Sequence, residues 1–86
     1  MRRPCRAGGR AATIVVGRDP ECDLVLVDPR VSRRHLEIAP AGASFRFRDL
    51  DSSNGTLVNG AVATQGELGL GDVVLLGDSE LTVEPG

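Results

Sequence analysis

From Thr13 onward the chain alternates short apolar stretches with turn-forming residues. The stretches are Thr13–Val16, Leu24–Val27, Leu36–Ile38, Phe45–Leu50, Thr56–Val58, Val73–Leu76 and Leu81–Val83. Val, Leu and Ile dominate them, and each has the length of a strand rather than a helix. Between them stand Gly17, Asp28-Pro29, Pro40 to Gly42, Ser53-Asn54-Gly55, Asn59-Gly60, Gly69 to Asp72 and Gly77-Asp78, the residue types that end strands and close turns. Many short strands with turn chemistry between them predict an all-β sandwich or barrel. Two segments are individually informative. Phe45-Arg46-Phe47-Arg48 alternates strictly, so both rings share one face and belong in the core, while both guanidiniums share the other. Asn59-Gly60 lies between Thr56-Leu57-Val58 and Ala61-Val62-Ala63, and Asn-Gly supplies the two positive φ angles of a type I′ hairpin turn.

Residues 1–12 behave differently. Four Arg, Pro4 and Gly8-Gly9 fall within them without either hydrophobic period, which reads as a flexible Arg-rich tail, with room for a residual first strand, ahead of one folded domain over 13–86. The whole chain of 86 residues carries a net charge of -2, and removing the tail leaves six Arg against twelve acids. An acidic fold with only two aromatic residues has neither the basic footprint nor the stacking platform of a nucleic-acid reader. No apolar run approaches the roughly 18 residues of a membrane helix, and four tail charges fall short of a stable lipid anchor. Cys5 and Cys22 show neither metal-ligand spacing nor disulfide density, which suits a reducing, cytoplasmic compartment. No cofactor and no metal are expected.

Three loops carry polar residues beyond what turns require. Gly17-Arg18 ends the first apolar stretch. Arg30-Val31-Ser32-Arg33-Arg34-His35 places three Arg, a hydroxyl and the single His within six residues of an acidic domain. Asp51-Ser52-Ser53-Asn54-Gly55-Thr56 is rich in short hydrogen-bonding side chains beside a Gly that lets backbone approach a ligand. Rigid guanidinium forks, hydroxyls and an amide are together the groups that hold a phosphate. Sandwich loops cluster at the two ends of the fold, so alternate connections often meet.

The ordered set Gly17-Arg18, Ser32-Arg33-Arg34-His35 and Ser53-Asn54-Gly55-Thr56, with Asn59-Gly60 behind, resembles the forkhead-associated (FHA) domain, a phosphothreonine-binding β-sandwich, from about Thr13 to Glu84. The resemblance implies an all-β FHA-like sandwich of short, mostly antiparallel strands with recognition loops at one end. It implies that Arg18 and Ser32 contact phosphate oxygens and that Arg33 adds a further contact. Asn54 would fasten the peptide backbone, Ser53 would lie beside the bound residue, and Arg30 would read the third residue after the phosphothreonine, where an acidic side chain suits it. Gly17, His35, Gly55 and Thr56 are implied as loop supports. The chain departs from the family at its beginning, where no convincing pair of opening strands can be drawn, which leaves the oligomeric state open. Position 33 is Arg where several relatives carry Asn.

The implied function is a phosphopeptide-binding module, not an enzyme, that recognises phosphothreonine in a partner protein or in its own parent chain downstream of a Ser/Thr kinase, without nucleic acid or membrane. Two other classes compete with it. One is a structural or oligomerisation β-sandwich whose partner binding ignores phosphorylation and uses an exposed edge strand. The other is a hydrolase with Ser32 or Ser53, His35 and Asp28 or Asp51 as a triad, although no Gly-x-Ser-x-Gly elbow exists.

Overall fold

The alternation along Phe45-Arg46-Phe47-Arg48 forces one side of that segment inward, and the strands paired with it follow its register. A computed structural model describes residues 13–84; the tail expected over 1–12 lies outside the described residues. Nine strands succeed one another: β1 Ile14–Gly17, β2 Leu24–Val25, β3 Leu36–Ala41, β4 Ser44–Asp49, β5 Thr56–Val58, β6 Ala61–Val62, β7 Gln65–Leu68, β8 Val73–Leu76 and β9 Ser79–Thr82. They form a five-stranded sheet in the order β2-β1-β3-β4-β7 and a four-stranded sheet in the order β6-β5-β8-β9. All pairings are antiparallel except β1 with β2.

Pairing aligns the inward residues across the first sheet. Val16 lies opposite Leu36, Ile14 opposite Ile38, Ile38 opposite Phe47 and Phe45 opposite Leu68. In the second sheet Val58 lies opposite Val74, and Val74 opposite Leu81. The two faces meet in a core of Val16, Leu36, Phe47, Leu68, Val74 and Leu76, joined by Val31 from the loop before β3. Phe47 is buried, Phe45 only half-buried against the edge of this core, and Arg46 and Arg48 face outward. The Asn59-Gly60 hairpin forms with φ of 51° and 88°, joining β5 to β6 through the turn that the Asn-Gly pair favours.

Three details differ from the sequence expectation. Strand β3 runs through Pro40 to Ala41, so the turn falls on Gly42-Ala43 rather than starting at the proline. Strand β7 was not expected, because Gln65-Gly66-Glu67-Leu68 contains one inward apolar residue and a glycine. Strand β9 begins at Ser79, two residues before its apolar part.

Two carboxylates are fixed inside this frame. Asp49 shares the inward side of β4 with Phe45 and Phe47, and its Oδ2 accepts hydrogen bonds from the Thr56 hydroxyl (2.6 Å) and the Ser52 hydroxyl (2.6 Å), with Oδ1 accepting from Ser52 N–H (2.7 Å). The Asp49–Thr56 bond ties one sheet to the other. Burial pushes the Asp49 carboxyl up, but the Ser52 and Thr56 donors outweigh it and the net direction is down from 3.8. Asp28, between β2 and β3, is held below the same value by the Ser79 hydroxyl and by the backbone N–H groups of Arg30 and Asp78.

Two outcomes are expected. Phe47→Ala empties the centre of the larger sheet and should cost about 3–5 kcal/mol, a large part of the stability of a domain this small; urea unfolding followed by far-UV circular dichroism measures it. Carboxyls with depressed folded pKa values bind fewer protons in the folded state, so their stabilisation is complete above 3.8 and disappears as pH falls through and below that value. The urea midpoint should therefore hold between about pH 7 and 5 and drop below about pH 4. Asp49→Asn should lower it at neutral pH and flatten the acid limb; an unaltered acid limb in that variant would remove Asp49 from the account.

Candidate functional site

All three polar loops meet at one end of the sandwich because backbone hydrogen bonds lace them together. Arg18 N–H donates to Ser32 O (3.1 Å) and Asp19 N–H to Arg33 O (3.1 Å). Gly17 makes this approach possible: a β-carbon there would lie 2.1 Å from Arg33 O, inside any allowed contact. The third loop is joined by Ser53 N–H donating to Ser32 Oγ (2.9 Å) and by Asn54 Nδ2 donating to Arg30 O (2.8 Å).

Behind this surface lies His35, with no solvent exposure. Its Nδ1 accepts from Ser32 N–H (3.1 Å), which leaves the ring proton on Nε2, 2.8 Å from Gly55 O. One neutral tautomer satisfies both contacts. The backbone of the same residue donates to Val16 O and accepts from Leu50 N–H. Gly55 N–H in turn donates to Ser52 Oγ (3.0 Å), while Thr56 is buried at the start of β5 on Asp49. Gly17, His35, Gly55 and Thr56 therefore lie beneath the loops. Arg18, Arg30, Arg33, Ser53 and Asn54 are exposed above them, with Ser32 half-buried between.

The donors at this surface are oriented. Arg18 Nε donates to Val31 O (2.9 Å), so one edge of the guanidinium is fixed and both terminal nitrogens remain for a ligand. Ser32 Oγ already accepts from Ser53 N–H, so its own O–H is the group left to donate outward. Arg33 Nη2 is paired with Asp19 Oδ2 at 3.1 Å. The Glu21 backbone N–H, then Arg33, hold the Asp19 carboxyl below its usual value. Arg30 Nε lies 3.6 Å from Asp78 Oδ2. Cys22, buried, donates its thiol to Arg33 O (3.2 Å), and burial, then the Asp19 charge, push that thiol up.

Ser32 and His35 do not form a nucleophile–base pair. The imidazole contacts the serine's backbone N–H, and the hydroxyl faces Ser53. Among the described residues no group of three or more His, Cys, Asp or Glu is arranged to hold a metal ion, and no helix is long and apolar enough to cross a membrane. A cleft of about 480 Å³ lies elsewhere, on the outer face of β3, β4 and β7. There Arg48 is paired with Glu37 (3.0 Å) and Arg46 stands opposite Glu67. Its cations are thus matched by acids across the strands, unlike the free fork of Arg18. Asp49, Ser52 and Asp19 are supporting residues that the sequence does not single out, and Asp28, a candidate triad acid in sequence, is a clamp on the Arg30 and Asp78 backbone and the Ser79 hydroxyl. The signal for Asp49 was present, since it continues the inward face of Phe45 and Phe47.

Comparison with known proteins agrees with this geometry. The FHA domain family model matches residues 14–77. The FHA domain-containing protein FhaA of Mycobacterium tuberculosis is 43% identical over 74 residues, 86% of this chain and 14% of that protein, so the chain spans a small part of that relative. A structure solved in a study of phosphothreonine-dependent FHA domain interactions superposes with a TM-score of 0.83 at 42% identity, covering 90% of this chain and 80% of the other. The N-terminal FHA domain of S. cerevisiae Rad53p, in complex with a phosphothreonine peptide, gives a TM-score of 0.69 at 30% identity over 77% of this chain and 56% of that one. With the family model matching residues 14–77 and the fold superposing on solved FHA domains, the chain belongs to the FHA domain family.

Proposed function

We propose that the loops joining β1 to β2, β2 to β3 and β4 to β5 bind phosphothreonine in an extended peptide of a partner protein, or of the parent chain, after a Ser/Thr kinase has acted in the cytoplasm. The observation that carries this reading is the pairing of an Arg18 fork anchored through Nε with a Ser32 hydroxyl whose oxygen is held by Ser53 N–H and whose proton remains to be donated. The guanidinium can only donate, the hydroxyl keeps its proton to donate, and both are positioned by backbone groups. A phosphate monoester carries about -1.5 to -2 charges and three acceptor oxygens, so it matches a guanidinium fork and a hydroxyl in charge and in lone pairs.

Arg33 adds a second guanidinium, which must share itself between Asp19 and the ligand. Asn54 keeps its Nδ2 on Arg30 O, which leaves its carbonyl oxygen and second amide hydrogen to engage peptide backbone. Ser53 lies next to the bound residue, and Arg30 faces the third residue beyond it. Gly17, His35, Gly55 and Thr56 hold the loops without touching the ligand.

Each charge-assisted hydrogen bond to phosphate is worth roughly 1.5–3 kcal/mol. Arg18→Ala and Ser32→Ala should therefore each weaken a phosphothreonine peptide about tenfold or more while thermal unfolding stays close to that of the parent. Fluorescence anisotropy against phosphothreonine, phosphoserine and unphosphorylated pools measures this. Undiminished affinity in both variants would move binding away from these loops. Binding indifferent to phosphate would favour phosphorylation-independent pairing along the edge strand β2, where Leu24 and Val25 are exposed and Val27 follows just beyond.

A further inference from the structure

A second charged feature stands beside the loops. Asp28, only 7% exposed, is a three-point clamp: Oδ1 accepts from Arg30 N–H (2.9 Å), and Oδ2 accepts from Asp78 N–H (2.8 Å) and from the Ser79 hydroxyl (2.7 Å). It fixes the loop before β3 against the turn between β8 and β9. The two segments touch without slack, because a β-carbon on Gly77 would lie 2.9 Å from Arg30 Cβ. The clamp sets Arg30 and Asp78 side by side, Nε to Oδ2 3.6 Å, with side chains 66% and 78% exposed. Arg30 O is also the acceptor for Asn54, so this pair sits directly against the rim of the loops.

A ligand side chain that reaches Arg30 therefore also meets Asp78. A ligand carboxylate is drawn to the guanidinium and repelled by the neighbouring carboxylate, at similar range and under similar solvent screening. We infer that Asp78 is a specificity-determining residue: it offsets the charge of Arg30, so that a flanking acid adds little to phosphopeptide binding and an uncharged residue is accepted almost equally. The inference rests on the phosphothreonine reading of the loops. It tempers the preference for an acidic third residue that Arg30 alone implies. Because an exposed pair of this kind is a weak interaction, removing Asp78 should alter selectivity by a small multiple rather than by orders of magnitude.

The test uses the whole 86-residue chain and phosphothreonine peptides carrying Asp, Asn or Lys in turn at each of the four positions after the phosphothreonine. The unaltered protein, Asp78→Asn, Arg30→Ala and the double variant are compared by anisotropy at low and moderate salt. The unaltered chain should distinguish Asp from Asn by less than about twofold at every position. Asp78→Asn should favour Asp by about two- to fivefold at one position, and that gain should shrink with salt and vanish in the double variant. Arg30→Ala should instead turn the preference at that position toward Lys. The readout is a ratio between peptides, which a general loss of fold or of phosphate affinity does not move. An unchanged Asp-to-Asn ratio in Asp78→Asn at all four positions overturns the role of Asp78 while leaving phosphate recognition standing. Binding by the unaltered chain that ignores phosphorylation overturns the phosphothreonine reading, and this inference with it.

Discussion

One buried imidazole sets the geometry on which the loop surface depends. His35 reaches Ser32 N–H with Nδ1 and Gly55 O with Nε2, while its backbone bonds to Val16 and Leu50. Those four contacts touch the end of β1, the loop before β3 and both ends of the loop before β5. A hydrogen bond of this kind adds about 1 kcal/mol net, but each buried group left unpaired costs roughly 1–3 kcal/mol. The loops therefore hold one arrangement because departing from it orphans several polar groups together. Arg18, Ser32 and Asn54 inherit their positions from this frame, and a preorganised set of donors gives up less conformational freedom when a ligand arrives.

The same economy explains why carboxylates are buried near a surface suited to an anion. Asp49 and Asp28 are each satisfied by three donors, so their charges are stabilised where they lie. They act as backbone clamps, and none of the donors they occupy is a guanidinium of the loops. Asp19 and Asp78 do the opposite, standing next to Arg33 and Arg30 at the surface. Among the described residues Arg18 has no such carboxylate partner, and its Nε is held by a carbonyl. In a domain with an excess of acids, the local surplus of positive charge at Arg18 comes from where the acids are not, rather than from net charge.

How much of this was legible in the sequence follows from which interactions are local. The alternation of Phe45 to Arg48 and the Asn59-Gly60 turn were readable because period-two patterning and positive-φ turn chemistry act within a few residues. Strand β7 was not, because Gln65-Gly66-Glu67-Leu68 is held by pairing with β4 and shows little apolar character of its own. Pro40 stands for a turn in sequence and occupies a strand in the fold, since the chain turns only at Gly42-Ala43. The residue types that suit the three loops to an anion could be read from the sequence, whereas the contacts that make the loops converge could not. Those contacts are Ser53 to Ser32, Asn54 to Arg30 and His35 to Gly55, which span 20 or more residues.

Asp49 shows where a closer reading would have gone further. Phe45, Phe47 and Asp49 fall on one face of a strand, so the pattern that buries the rings also buries a carboxylate, and a buried carboxylate demands donors. Two residues on, Asp51 to Thr56 supply hydroxyls and amides in excess of what a turn uses. A charge on an apolar face, followed by a run of short donors, forces the chain to fold back over that charge. Here the return carries Thr56 into the second sheet, with its hydroxyl on Asp49, and leaves Ser53 and Asn54 on the outside. The interaction that closes the sandwich thereby determines which side chains remain free at its rim. In this domain stability and recognition share one loop, its inner residues committed to Asp49 and its outer ones to whatever the rim binds.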